Sequence, residues 1–106
     1  MTGSSIAQSA AEYLRQWNDG LDTDDDQDWS LDCSMGLSLY QIRRAASPDG
    51  NHPHSAARIR KSVLDALANT EDGRRLFECR RIPALYPCIT NGVTRVFVLK
   101  EEHRRP

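Results

Sequence analysis

Several features that would point to common protein classes are missing from this sequence of 106 residues. It has no apolar run approaching the roughly 20 residues that a membrane-spanning helix needs. It has no glycine-rich phosphate-binding loop, so a nucleotide cofactor is unsupported. Met1–Ser5 carries no basic residue, and no apolar segment follows it, so a secretory signal is not indicated. We therefore expect a cytoplasmic protein without a cofactor.

Cysteine is scarce, and the three cysteines form an odd number, which favours free thiols in an intracellular chain. His52, His54, Cys79 and Cys88 could in principle supply four zinc ligands. Zinc sites usually contain closely spaced cysteines of the C-x₂₋₄-C type, however, and eight residues separate Cys79 from Cys88. We therefore expect core cysteines, exposed loop histidines and no metal site. Cys33 has no evident base beside it, so a nucleophilic role is also unsupported.

Positive charge is nearly absent from the first 40 residues. Arg15 is the only basic residue there, against eight acidic residues, so the segment carries a net charge of −7. Residues 41–106 contain thirteen basic and seven acidic residues, which gives +6. A charge asymmetry of this size often marks a macromolecular binding surface. The alternative is that the two halves attract each other and that the charges only aid solubility.

The acidic half contains five aspartates within seven residues, and like charges at this density disfavour regular structure. An exposed loop over residues 22–28 is therefore the first interpretation. An EF-hand calcium loop would also need a central glycine and a glutamate at its twelfth position, and neither is present. A weak cation site and an acidic protein-binding patch remain as alternatives. The acidic residues are Asp22, Asp24, Asp25, Asp26 and Asp28.

Apolar periodicity predicts three helices, over Ile6–Leu21, Ser38–Ala46 and Ser55–Asn69. Gly20 is expected at the end of the first helix, and serines are expected to cap the second and third. In the third helix the apolar residues recur four apart on one side, while three basic residues point away from that side. Asp65 is four residues after Lys61 and could form a weak pair with it. Gly73 follows this helix as a stop signal. The three basic residues are Arg58, Arg60 and Lys61.

Alternating and β-branched residues predict a short strand over Trp29–Met35 and a strand-rich final third. The predicted strands there are Leu76–Ile82, Leu85–Thr90 and Val93–Lys100, the last two joined as a hairpin by Asn91 and Gly92. Residues 101–106 are predicted to form a frayed tail. The core is expected to contain the larger aromatic side chains. These are Trp17, Trp29, Tyr40, Phe77 and Phe97. The sequence thus predicts one α+β domain over residues 1–106, with three helices and a C-terminal hairpin or three-stranded antiparallel sheet.

The order of elements resembles that of winged helix-turn-helix domains. The resemblance covers about residues 29–100, with Ile6–Leu21 as the first helix, Leu39–Ala46 as the helix before the turn and Ser55–Asn69 as the recognition helix. It implies a double-stranded DNA partner, with residues near the start of that helix meeting base edges and basic residues neutralising phosphates. The implied DNA-binding residues are His54, Ser55, Arg58, Arg60, Lys61, Arg80, Arg81 and Arg95. Many winged-helix regulators are dimers, so pairing through the first helix is a further expectation.

The final third also resembles the strand region of RelE/HigB-type toxins, which cleave messenger RNA on the ribosome. That resemblance implies that basic residues on the sheet hold the phosphodiester, and the candidates are Arg80, Arg81, Arg95 and His103. We therefore expect a small non-catalytic DNA-binding regulator of a bacterial, plasmid or phage type. An acidic protein inhibitor or adaptor acting on a nucleic-acid-binding enzyme is the first alternative, and an RNA endonuclease toxin is the second.

Overall fold

The computed structural model describes residues 5–104, apart from 22, 24, 33–34, 48–54 and 84–92. Within these residues the fold is α+β, as the sequence predicts, with a three-stranded antiparallel sheet and four α-helices, one more than predicted. None of these helices is long and apolar enough to cross a membrane. The helices are α1 (Ile6–Trp17), α2 (Gly36–Ala45), α3 (Ala56–Asn69) and α4 (Glu71–Leu76). The strands are β1 (Ser30–Asp32), β2 (Phe77–Pro83) and β3 (Val93–Leu99). This architecture is compatible with a winged-helix-like fold.

The central strand of the sheet is β3, which pairs with β1 on one side and with β2 on the other. Phe97 lies opposite both Leu31 and Cys79, and Leu99 lies opposite Phe77. Residues that are directly opposite in an antiparallel pair point to the same face. Leu31, Phe77, Phe97 and Leu99 are all buried, so the helices cover this face of the sheet.

A single cluster of buried side chains joins the sheet to the helices. Helix α1 contributes three alanines and Leu14, and their small side chains let its backbone lie close to its neighbours. Helices α2 and α3 contribute residues spaced three or four apart, which is the spacing that places side chains on one helix face. These residues are Leu39, Ile42, Val63, Leu64 and Leu67.

The bounds of the first two helices differ from the prediction. Helix α1 ends at Trp17 rather than Leu21, because Asn18 donates a side-chain hydrogen bond back to the carbonyl of Leu14 at 2.9 Å. Gly20 follows with a φ of +80°, in the left-handed region that glycine adopts readily, although no helix reaches it. Helix α2 begins at Gly36, and Ser38 does not cap it. The Ser38 hydroxyl instead lies 2.8 Å from that of Tyr13.

Helix α4 was not predicted, and it makes the prediction of Gly73 as a stop signal wrong. Thr70 caps this helix, since its hydroxyl accepts a hydrogen bond from the backbone N–H of Gly73 at 3.0 Å. Gly73 is buried inside α4, where a Cβ atom would lie only 2.3 Å from the carbonyl oxygen of Ala66. Glycine is therefore required for the close approach of α4 to α3. Because α4 extends to Leu76, strand β2 begins at Phe77 instead of Leu76.

Within the described residues, strand β3 pairs with β2, a partner that the sequence did not predict. All of β3 pairs with β2, from Val93 opposite Pro83 to Leu99 opposite Phe77. Burial explains this register, because the register places Phe77 of β2 and Phe97 and Leu99 of β3 on the face of the sheet that the helices cover. The segment Leu85–Thr90 and the predicted turn at Asn91 and Gly92 lie outside the described residues.

The structure differs from the predicted frayed tail at residues 101–104 and from the predicted exposed loop from Asp26 onward, where a helical turn forms. Glu101–His103 forms a 3₁₀ helix, and Arg104 after it is only 5% exposed. The Arg104 guanidinium donates to the Leu99 carbonyl at 2.9 Å and to the Asp26 carboxylate at 2.6 Å. Asp26 itself begins a second 3₁₀ helix, Asp26–Trp29. Opposite charges that are distant in sequence therefore order both segments.

The aromatic residues divide into two groups. Trp29, Phe77 and Phe97 are buried, as predicted. Trp17 is 68% exposed and Tyr40 is 36% exposed, so their assignment to the core is wrong. Trp17 instead stacks on Tyr13 one turn earlier in α1, with 6.3 Å between the ring centroids. Both exposed side chains lie on the solvent-facing sides of their amphipathic helices.

Candidate nucleic-acid interface

Helix α3 has one buried side and one cationic side. Ile59, Val63 and Leu67 are buried against the core, whereas Arg58 and Lys61 are exposed. These two residues and Asp65 follow the i, i+3, i+7 spacing, so they share one solvent-facing stripe. No hydrogen bond or ion pair to Arg58 or Lys61 occurs within the part of the chain that the structure describes. The expected Lys61–Asp65 pair is accordingly absent there.

The first turn of α3 differs in detail from the prediction. Ser55 occupies the N-cap position, as expected, but its side chain makes no capping hydrogen bond. Its hydroxyl is exposed at the start of the helix. Arg60 is half-buried, because it lies on the same side of the helix as the buried Leu64 and Leu67, four and seven residues later, so the prediction that it points away from the apolar side is wrong. His54 lies outside the described residues.

Asp65 connects helix α3 to the sheet. Its carboxylate oxygen is 3.9 Å from a guanidinium nitrogen of Arg95 on β3, and both side chains are 42% exposed. The same guanidinium lies 5.7 Å from the centroid of the Phe97 ring, which helps to hold it against the sheet. An exposed pair at this distance adds little stability. The contact matters for the arrangement of the surface, because it shows that the solvent-facing stripe of α3 lies next to β3.

Arg81 on β2 is directly opposite Arg95 on β3. Both residues are exposed and share the sheet face that holds Phe97, beyond the region that the helices cover. Cys79, one position nearer the core on β2, is exposed as well, so the prediction of a core cysteine is wrong for this residue. Two like charges placed directly opposite each other repel. Asp65 is the described carboxylate that contacts this pair.

These contacts define a basic surface that consists of Arg58, Lys61, Arg81 and Arg95, with Asp65 in its middle. Its formal charge is +3. Three of its four cations form no described hydrogen bond or ion pair, and the fourth has the long 3.9 Å contact with Asp65. Guanidinium and ammonium groups in this state can donate hydrogen bonds to an anionic partner without first breaking strong internal pairs.

Arg80 lies apart from this surface. It is on the opposite face of the sheet, because successive residues of a strand alternate between faces. Its guanidinium contacts the carboxylates of Asp26 at 2.9 Å and Glu78 at 3.0 Å. The hydrogen bonds that Arg80 donates, first to Asp26 and then to Glu78, raise the pKa of its guanidinium group. The structure therefore does not bring Arg80 together with Arg81 and Arg95.

The described acidic residues of the 22–28 segment are held by internal contacts. Asp25 accepts a hydrogen bond from the backbone of Gln27 at 3.0 Å, and Asp28 accepts one from the Thr23 hydroxyl at 2.9 Å. Hydrogen bonds from Arg104, and next from Arg80, hold the pKa of Asp26 below its usual value. Asp22 and Asp24 lie outside the described residues. Part of the acidic half thus compensates the basic half within the same molecule.

The positions of the histidines and cysteines bear on the toxin-like and metal-binding arrangements. His103 lies beside α1, where its carbonyl accepts a hydrogen bond from Arg15 at 2.8 Å, and not on the strands that carry Arg81 and Arg95. No group of three potential metal ligands occurs among the described residues. His52, His54 and Cys88 lie outside them.

No protein-family model, curated protein or solved structure matches this chain. The function therefore has to be inferred from the side chains and their geometry. Of the eight residues that the winged-helix resemblance implies, Arg58 and Lys61 share the stripe of α3 that includes Asp65, and Arg81 and Arg95 are opposite each other on β2 and β3, where Asp65 contacts Arg95. Sequence spacing places the first two on one stripe of α3. No sequence signal indicated that Asp65 would join them to the strands, because the contact depends on the register of β2 and β3.

Proposed function

We propose that this protein is a small non-catalytic regulator that binds double-stranded DNA in the cytoplasm. In this proposal α3 enters the major groove, and the basic surface contacts the phosphates beside it. The winged-helix resemblance suggests this role, and the unpaired cations of the described surface support it. Arg58 and Ser55 near the start of α3 face base edges, while Lys61, Arg81 and Arg95 neutralise phosphates.

The observation that carries the proposal is the contact between Asp65 and Arg95. It places the exposed stripe of α3 and the Arg81–Arg95 pair on the same side of the molecule. DNA presents phosphates on both edges of the major groove, which is about 12 Å wide and admits an α-helix. A protein with cations on the helix and on the adjacent strands can therefore contact the groove and its edge together.

The rival functions have less support from the described contacts. An acidic inhibitor would present free carboxylates, but Asp25, Asp26 and Asp28 each accept an intramolecular hydrogen bond. A ribonuclease toxin would combine His103 with the sheet arginines, but His103 lies against α1. Loss of function after Asp25→Asn and Asp26→Asn changes would favour the inhibitor, and RNA cleavage lost in Arg81→Ala would favour the toxin.

A salt titration of binding to a labelled mixed-sequence DNA duplex, followed by fluorescence anisotropy, tests the proposal. Each neutralised phosphate lowers the slope of log K against log salt by about 0.9, so the three phosphate contacts of Lys61, Arg81 and Arg95 predict a slope of roughly −3. Absence of binding even at low salt would refute DNA recognition. Binding with a slope near zero would refute the assignment of phosphate contacts to the basic surface.

A further inference from the structure

Asp65 is the acidic residue in the middle of the basic surface. It shares the solvent-facing stripe of α3 with Arg58 and Lys61, and 42% of its side-chain surface is exposed. Its carboxylate oxygen is 3.9 Å from Arg95, a distance that is too long for a hydrogen bond. The carboxylate therefore faces the same side of the molecule as the cations around it and keeps its capacity to accept hydrogen bonds there.

Neither the stability of the fold nor general affinity for DNA explains a carboxylate at this position. An exposed pair with Arg95 stabilises the fold little. A negative charge among the cations also weakens binding to any polyanion, because it repels the phosphates. A residue that lowers the affinity for all DNA can nevertheless raise the selectivity for one sequence, since selectivity is a difference between affinities and is often obtained by penalising the wrong partners.

The major groove offers few hydrogen-bond donors to a carboxylate. Guanine and thymine present only acceptors there as polar atoms. Adenine presents its N6 amino group beside the acceptor N7, and the lone pair of N7 repels a carboxylate. Cytosine presents its N4 amino group without an adjacent acceptor of its own. An ionised carboxylate can only accept hydrogen bonds, so cytosine is the base that it selects.

We propose that Asp65 selects a cytosine in the major groove by accepting a hydrogen bond from its N4 amino group, an inference that rests on the DNA-binding function proposed above. Arg58, on the same stripe, is placed to donate to the O6 and N7 atoms of a guanine, the commonest specific contact of arginine. The seven residues from Arg58 to Asp65 span about 10.5 Å of helix. A helix that lies along the groove therefore places the guanine and the cytosine about three base pairs apart, since each step along a strand is about 3.4 Å.

Selection of bound duplexes from a randomised DNA library, followed by sequencing, tests this inference with the full chain. The unchanged protein is expected to enrich a guanine and a cytosine about three base pairs apart. Asp65→Ala is expected to keep the guanine and lose the cytosine, although its affinity for mixed-sequence DNA rises. Glu71→Ala removes the same charge from an exposed site on α4 and is expected to retain both bases.

The cytosine contact itself is tested with a modified base in the enriched duplex. In N4-methylcytosine a methyl group replaces the amino hydrogen that faces the major groove, while the hydrogen of the base pair remains. This change is expected to lower the affinity of the unchanged protein about fivefold or more, as fluorescence anisotropy measures it. The affinity of Asp65→Ala is expected to stay the same, because this variant makes no contact with the amino group.

The possible outcomes distinguish the inference from the proposed function on which it rests. Binding without enrichment of a cytosine, or a cytosine preference that Asp65→Ala retains, overturns the inference and leaves DNA binding intact. Loss of the preference in Glu71→Ala, or an equal effect of N4-methylcytosine on the unchanged protein and on Asp65→Ala, overturns it as well. Absence of binding to every duplex refutes the proposed function, and the inference with it.

Discussion

Arg81 lies directly opposite Arg95 in the antiparallel pairing of β2 with β3. Their side chains share one face of the sheet, where like charges repel and lower the stability of the fold. The only described carboxylate near them is Asp65, at 3.9 Å from Arg95. A pair that costs stability in the free protein is understandable if an anionic partner compensates it when bound.

Replacing Arg81 by glutamate is therefore expected to separate stability from binding. Arg81→Glu turns a repulsive cross-strand pair into an attractive one, so the free energy of unfolding should rise by about 0.2–1 kcal/mol. The same change should weaken DNA binding about tenfold or more, because it replaces a phosphate contact with a repelling charge. Urea unfolding and fluorescence anisotropy measure the two effects. A variant that binds DNA as well as the unchanged protein would remove Arg81 from the interface.

Removing the carboxylate of Asp65 is expected to strengthen DNA binding. Asp65→Asn deletes the negative charge in the middle of the basic surface and releases Arg95 from its weak pair. An affinity gain of about threefold to tenfold at low salt is expected, and it should shrink as salt screens the charges. Glu71→Gln, in the exposed part of α4, removes the same charge elsewhere and should change affinity little. Equal gains in both variants would show that only net charge matters.

The requirement for glycine at position 73 can be tested with a matched pair of alanine changes. In Gly73→Ala the new methyl group would lie 2.3 Å from the Ala66 carbonyl and 2.4 Å from that of Leu67, so α4 must move away from α3. A loss of about 1–3 kcal/mol in the free energy of unfolding is expected. In Gly36→Ala no atom lies within 4 Å of the new methyl group, so stability should be unchanged or slightly higher. Chemical denaturation of both variants measures their free energies of unfolding, and equal values would contradict the requirement for glycine at position 73.

The contact between Asp26 and Arg104 predicts a pH-dependent contribution to stability. Because the pKa of Asp26 in the folded protein is below the ordinary value of 3.8, its contribution is fully present above that pH and is lost as the pH falls through the folded-state pKa. Asp26→Asn should therefore lower the free energy of unfolding at neutral pH, and the difference from the unchanged protein should shrink in strong acid. Urea unfolding of both proteins at neutral pH and in strong acid measures this difference in the free energy of unfolding. Asp19→Asn, which removes an exposed carboxylate of the same size, serves as the control and should leave the free energy of unfolding at neutral pH nearly unchanged.

The close packing of the tail can be tested at Arg104 itself. Arg104→Ala removes the hydrogen bond to the Leu99 carbonyl and the contact with the Trp29 ring, whose centroid is 5.9 Å from the guanidinium carbon. A loss of about 1–3 kcal/mol in the free energy of unfolding is expected. If the tail were frayed, as sequence alone predicts, thermal unfolding of the variant would coincide with that of the unchanged protein.

Local patterns in the sequence were sufficient to predict the main elements of the fold. The apolar spacing of Ile59, Val63 and Leu67 defines α3, and the β-branched run after Gly92 defines β3. The stripe of α3 that carries Arg58 and Lys61 follows from the same periodicity. These features depend on neighbours within a few residues, which a sequence displays directly.

The errors concern features that depend on distant residues. Gly73 has the sequence signature of a helix stop, but the packing of α4 against α3 decides its role. Arg104 looks like part of a charged tail, but the structure places its guanidinium against Asp26, which is 78 residues away in the chain. The Asp65–Arg95 contact likewise depends on strand register. Such long-range pairs have no signal in a single sequence.

The proposed DNA interface depends on Arg58 and Lys61 of α3. The most direct measurement compares the affinity of two double variants for a mixed-sequence duplex at fixed low salt. One variant carries Arg58→Ala and Lys61→Ala, and the control carries Arg74→Ala and Arg75→Ala on the exposed side of α4. If Arg58 and Lys61 contact DNA, the affinity should fall about tenfold to a hundredfold in the first variant and change little in the control. Equal losses in the two variants, or no loss in the first, would contradict it.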